Sequence, residues 1–187
     1  MLGGSIIINK YSSNLQQSSP NSNTNLHLRI LNINMSSKLI FITGATGFIG
    51  AATAQAALKA GYRLRISVRK EVQIEKLKTI FSAYAEKIEF VVIPDITVTG
   101  AFSKSLDGVD YVLHLASPLA GAAERDALIN AAVNGTLAIL RDSAKVESIK
   151  KVVITSSIAA LEPLDGAPEG GVVRGTFLCP AICEVQC

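Results

Sequence analysis

The segment Thr43-Gly44-Ala45-Thr46-Gly47-Phe48-Ile49-Gly50 restricts what this 187-residue chain can fold into more than any other feature. Its glycines stand between an apolar run, Lys38 to Thr43, and an alanine-rich stretch, Phe48 to Ala60, that Gly61 ends. The run reads as a short buried strand and the stretch as a helix with a glycine stop. A strand that passes through glycines directly into a helix gathers unpaired amides and the positive end of the helix dipole at one point. That point suits a pyrophosphate. The three glycines are expected to differ in role, since Gly44 permits the tight turn, Gly47 lets the backbone approach the phosphates without a Cβ, and Gly50 lets the helix pack close to the sheet. An ordinary strand-to-helix turn is the plainer alternative. A P-loop is excluded, because no Gly-Lys-Ser/Thr follows.

The alternation continues downstream. Arg63 to Arg69 reads as a second strand, Glu71 to Ala85 as a helix with Ile74, Leu77 and Phe81 on one face, and Ile88 to Ile93 as a third strand. A short helix at Ala101 to Leu106, a fourth strand at Tyr111 to Leu115, a long helix at Glu124 to Lys145 and a fifth strand at Lys151 to Thr155 follow. Strands alternating with helices imply right-handed crossovers and a parallel sheet. The expected fold is therefore α/β, a Rossmann-type doubly wound parallel sheet of order 3-2-1-4-5. A composition of 49% hydrophobic and 18% charged residues agrees with a sheet covered on both faces. This βαβ setting makes dinucleotide binding the favoured reading of the glycine segment.

Residues 1–36 are rich in Asn, Ser and Gln and are expected to form a disordered tail. Their single arginine, Arg29, argues against a mitochondrial transit peptide, and Met35 is the more natural beginning of the folded part. No apolar run approaches the roughly 20 residues needed to span a bilayer. The net charge of +3 is scattered, without the concentrated basic face of a nucleic-acid binder. Neither a membrane nor a nucleic acid is expected as partner. No acidic residue precedes Glu71, which favours an anionic ligand near the first helix. Cys179, Cys183 and Cys187 all lie in the final stretch, at a spacing that matches no common zinc pattern, so no metal is expected. A core without cysteine suits a reducing compartment, and the expected location is cytoplasmic.

The Gly-x-x-Gly-x-x-Gly spacing after Thr43 is followed in order by Leu113-His114-Leu115-Ala116-Ser117-Pro118, Val133-Asn134-Gly135-Thr136 and Val153-Ile154-Thr155-Ser156-Ser157. From about Lys38 to Arg174 this resembles the extended, epimerase/dehydratase-like short-chain dehydrogenases, most of all the branch of dihydroflavonol, cinnamoyl-CoA and fungal ketone and aldehyde reductases. The resemblance implies an oxidoreductase that reduces a small carbonyl compound with NADP(H). Gly44, Ala45, Thr46, Gly47, Phe48, Ile49 and Gly50 would bind the pyrophosphate. An NAD enzyme usually presents an acid after the second strand, about 20 residues beyond the glycines. This chain has Ser67-Val68-Arg69-Lys70. Arginine pairs well with a phosphate, and the resemblance carries Arg69 and Lys76 over as ligands of the 2′-phosphate, solvated surface charges being the alternative. Asp95 and Ile96 match the adenine-contacting pair, although Asp95 after Pro94 is also an ordinary turn residue. Leu115, Ala116 and Ser117 match the segment beside the nicotinamide ribose. His114 is expected to pack or hydrogen-bond structurally, and Asn134 to support its helix.

The resemblance further implies a tyrosine, a lysine and a serine at the reaction centre. The serine is Ser157, with Ser156 as the alternative, and a helix-entry residue is the plainer reading of both. Tyr-x-x-x-Lys does not follow: the tyrosines are Tyr11, Tyr62, Tyr84 and Tyr111, and no lysine follows Lys151. The expected organisation is a tail over 1–36, a partial NAD(P)-binding domain over 37–174, and an unrelated tail over 175–187. That pattern reads as truncation, or a gene-model error, before the later strands and the substrate domain. Turnover is expected to be weak or absent, with a non-catalytic NADP-sensing module or a non-functional product as the alternative. Lys151 to Thr155 is expected to be an exposed sheet edge prone to self-association.

Overall fold

A computed structural model describes residues 5–9, 38–118 and 124–157. In chain order they form β1 (Ser5–Asn9), β2 (Leu39–Thr43), α1 (Phe48–Lys59), β3 (Arg63–Val68), α2 (Val72–Ile80), a 3-10 segment (Ser82–Lys87), β4 (Ile88–Val92), β5 (Tyr111–His114), α3 (Arg125–Ala144) and β6 (Lys151–Thr155). The strands lie in the order β1-β6-β5-β2-β3-β4. β2 pairs in parallel with both β3 and β5, and β3 with β4. Counted from β2, this is the expected 3-2-1-4-5 order of a Rossmann-like α/β sheet. One compact unit is Ile7–Val153; the other comprises Met1–Ile6 and Ile154–Cys187.

All five residues of β2 are buried, as a central strand covered on both faces requires. Because side chains alternate across a strand, Ile40 and Ile42 face one side, where they pack with Leu64, Ile66, Val68, Leu77 and the α1 residues Ala54 and Leu58. Phe41 faces the other and meets Phe102 edge to face, with ring centroids 5.9 Å apart. Helix α1 buries Gly50, Ala54 and Leu58, one stripe at a spacing of four. It ends in a Schellman motif: Gly61 adopts φ +96°, its amide donates to Leu58 O at 3.0 Å, and Tyr62 N donates to Ala57 O at 3.1 Å.

Polar side chains fix the strands at the rim opposite the glycine turn. Asp110 accepts from Leu39 N at 2.9 Å and from Lys38 Nζ at 2.8 Å, while its own carbonyl accepts from Lys150 N at 2.8 Å. One residue thus sets the starts of β2, β5 and β6. Arg65, in register with Glu89 on β4, pairs with that carboxylate and also donates to the carbonyls of Ser105 and Asp107. On α3 the buried Asp142 accepts from Phe102 N at 3.1 Å.

Several expectations change. Within the segment 1–36, Ser5–Asn9 forms a strand. It flanks β6, and Lys151–Thr155 is therefore the penultimate strand rather than the edge. The physical reason is the β-branched run Ile6-Ile7-Ile8, a good strand former whose partner is distant in sequence. The helix expected over Glu71 to Ala85 stops at Ile80, because the buried Phe81 takes up a non-helical backbone and the chain tightens toward β4. Ala101 to Leu106 forms successive turns instead of a helix, fixed by the fully buried Phe102 and Leu106. The three cysteines lie outside the described residues, among which no cluster of potential metal ligands occurs.

Asp142 generates a test. Asp142→Ala leaves the Phe102 amide without its acceptor and should destabilise the chain by about 1–3 kcal/mol, the usual penalty for a buried orphan donor. Asp142→Asn, which retains an acceptor, should lose less. Urea unfolding of both variants measures the difference.

Candidate functional site

Strands that run parallel place their C-terminal ends on one rim, where ligands of open α/β sheets bind. The glycine turn lies there, at the end of β2. Gly44 adopts φ +77°, and a Cβ on it would stand 2.6 Å from Ala116 N. Gly50 is equally constrained, since a Cβ there would lie 2.0 Å from Gly44 O. The close approach expected of Gly50 is thus made to the turn itself. Gly47 differs: a Cβ would meet only Gly44 O at 3.4 Å, ordinary contact. The chain's own packing does not require glycine at that position, and the space in front of it is open.

Gly47 precedes α1, with φ −86° and ψ 168°, and no side chain caps the helix. Among the described residues nothing accepts from the amides of Phe48, Ile49 and Gly50, and the first turn has no acidic residue. Donors and the positive end of the dipole therefore face outward together. Phe48 is 93% exposed and Thr46 and Ile49 are also exposed, whereas Ala45 is buried.

Thr43, fully buried at the end of β2, ties a second segment to this turn. Its hydroxyl oxygen accepts from Leu115 N at 3.2 Å and Ala116 N at 3.1 Å, and lies 2.9 Å from His114 Nδ1. Leu115 and Ala116 are half-buried and Ser117 is exposed. His114 is 3% exposed, and burial pushes its pKa down to about 4, so the ring is neutral at physiological pH.

Arg69 and Lys70 leave β3 exposed on the same rim. Their amides both donate to Gln73 Oε1, at 3.0 and 2.9 Å. Asp95 accepts from the amide and the hydroxyl of Thr97, at 2.8 and 2.7 Å. These bonds, helped by the Arg69 charge, hold its carboxyl below the usual carboxylate range. Arg69 and Asp95 are thus brought near each other. Lys76 is exposed on α2, and no hydrogen bond or ion pair among the described residues ties it to either. Ile96 packs on Gly135 of α3, where a Cβ would stand 3.3 Å from its Cδ1. Ser156 and Ser157 directly follow β6 in the chain.

Sequence reasoning missed three contributors. Gln73 had a readable signal, an amide side chain in the first turn of a helix reaching back to preceding amides. Gly135 had one too, a glycine inside a helix, where it is disfavoured unless close packing needs it. The Thr43 hydroxyl had none, because its partners are about 70 residues away.

The fold and this rim define a parallel α/β protein with an anion-receptive glycine turn at the strand exits. The chain belongs to the NAD dependent epimerase/dehydratase family, whose model matches residues 40–173. It is 57% identical over 140 residues to the ketoreductase sphI of Aspergillus fumigatus, covering 75% of this chain and 41% of that protein. Its fold is similar to that of Gre2 from Candida albicans in complex with NADPH, with a TM-score of 0.71 and 27% identity over 76% of this chain and 44% of the other. Yeast methylglyoxal/isovaleraldehyde reductase Gre2, complexed with NADPH, has a TM-score of 0.63 and 32% identity, covering 68% and 39%. The chain spans about 40% of the length of these relatives.

The buried neutral His114 predicts a pH dependence. Its folded pKa lies below the ordinary value of about 6.5, so between about pH 4 and 6.5 the unfolded chain binds a proton that the folded one does not. The stabilising contribution is complete above that window and is lost as pH falls through it, at up to about 1.4 kcal/mol per pH unit. His114→Asn should remove this share of the slope. Urea unfolding of both proteins at several pH values across the window checks it.

Proposed function

We propose that this chain holds NADPH and is the nucleotide-binding part of a cytoplasmic reductase of ketones or aldehydes. The observation that carries the reading is the open, uncapped turn at Gly47, whose glycine serves no packing need of the chain itself. In this reading the amides of Phe48, Ile49 and Gly50 hold the pyrophosphate, with Gly44, Ala45 and Thr46 shaping the turn. Arg69, steadied through Gln73, meets the 2′-phosphate, with Lys76 as a second cation. Asp95 and Ile96 border the adenine, and Leu115, Ala116 and Ser117 border the nicotinamide ribose. Ser157 hydrogen-bonds the carbonyl oxygen of the substrate. NADPH, when bound, supplies the hydride. Likeness to a ketoreductase and to NADPH-bound reductases supports both the cofactor and the substrate class.

A second reading rests on one observation: within these 187 residues no tyrosine follows Tyr111 and no lysine follows Lys151. Positioned general acid catalysis is typically worth roughly 10²–10⁴-fold. In this reading these residues supply the nucleotide-binding module, and the proton donor is not among them.

Titration calorimetry tests the assignment. NADPH should bind more tightly than NADH, and Arg69→Ala should narrow the gap by roughly tenfold, as expected for loss of a charge-assisted contact. Gly47→Val should abolish binding while the melting temperature changes little. Equal affinities for the two cofactors, or retained binding in the Gly47 variant, would reject it.

A further inference from the structure

The hydroxyl of Thr43 has one proton and two lone pairs. Two backbone amides donate to its oxygen: Ala116 N at 3.1 Å, and Leu115 N, which is shared between this oxygen at 3.2 Å and the Thr43 carbonyl at 3.3 Å. The oxygen's lone pairs thus face these amides. The third neighbour, His114 Nδ1 at 2.9 Å, must then accept the hydroxyl proton. The opposite assignment would give the oxygen three donors and leave its own proton without an acceptor in a fully buried site, which is costly. Nδ1 is therefore the bare nitrogen of the ring, and Nε2 carries the proton.

This places a directed chain of hydrogen bonds behind the rim. The imidazole takes the hydroxyl proton, the hydroxyl turns its lone pairs to the amides of Leu115 and Ala116, and Ala116 N is held where a Cβ on Gly44 would be only 2.6 Å away. We propose that His114 is a positioning residue for the nucleotide, acting through the Thr43 hydroxyl to hold the Leu115–Ala116 backbone against the glycine turn. The inference rests on the reading above, in which that backbone borders the nicotinamide ribose. It adds that a side chain without any contact to the cofactor sets how well the nicotinamide half is held.

Dissociation constants for NADPH and for adenosine 2′,5′-bisphosphate, which carries only the adenine end, test this on the 187-residue chain. His114→Leu and Thr43→Val remove the acceptor and the hydroxyl. Each should weaken NADPH roughly tenfold, equivalent to about 1.4 kcal/mol, while the bisphosphate changes by less than about twofold. His114→Asn, whose Oδ1 can accept the same proton, and Thr43→Ser should restore NADPH to within about threefold. The ¹⁵N spectrum of the wild-type imidazole should show an unprotonated, hydrogen-bonded Nδ1 and a protonated Nε2, a result that stands even if the leucine variant does not fold. A protonated Nδ1, unchanged NADPH affinity in a folded His114→Leu, or equal losses for both ligands would overturn the proposal. Failure of the bisphosphate to bind the wild-type chain would instead remove the nucleotide reading itself.

Discussion

Three stretches of backbone converge at Gly44 with no room for a side chain between them. The turn after β2, the first turn of α1 at Gly50 and the exit of β5 at Ala116 approach within distances that a single Cβ would break. This crowding sets where α1 begins and which way its free amides face. The fully buried β2 anchors the convergence, since its residues are fixed by β3 on one side and β5 on the other. The crevice above it is thus shaped by the backbone of the most constrained part of the fold. Its geometry depends little on mobile side chains.

The charge arrangement follows from the same geometry. An uncapped helix start without acidic residues, flanked by Arg69 and Lys70, offers an anion donors and positive charge from two elements. The Asp95 carboxylate, held ionised by its hydrogen bonds from Thr97, stands near Arg69 and offsets part of that charge. Gln73 makes the Arg69–Lys70 backbone definite by accepting from both amides, and so narrows where the arginine can stand. The result is a site graded from the dipole-bearing turn at Gly47 to the cationic exit of β3.

Much of this was legible in the sequence because it is local. Apolar runs marked β2 to β6, and the glycine spacing marked the turn at the end of β2. Roles that depend on distant partners were not legible. The isoleucines of β1 carry a local strand signal, but the place of that strand next to β6 depends on a partner distant in sequence. The segment Ala101 to Leu106 has a helix-like pattern, but its backbone is set by Phe102 on Phe41, by Asp142 and by Arg65, all nonlocal. Thr43 was visible as part of the motif; the lone pairs that bind Leu115 and Ala116 were not.

In the proposed function the amides at the start of α1 and those of Leu115 and Ala116 border one nucleotide. Amide chemical-shift mapping with NADPH tests this most directly. The largest perturbations should fall on Gly47 to Gly50, on Leu115 and Ala116, and on Arg69, with β2 to β5 otherwise little changed. Perturbations that cluster away from the C-terminal ends of β2, β3 and β5, or a spectrum unmoved by millimolar NADPH, would contradict it.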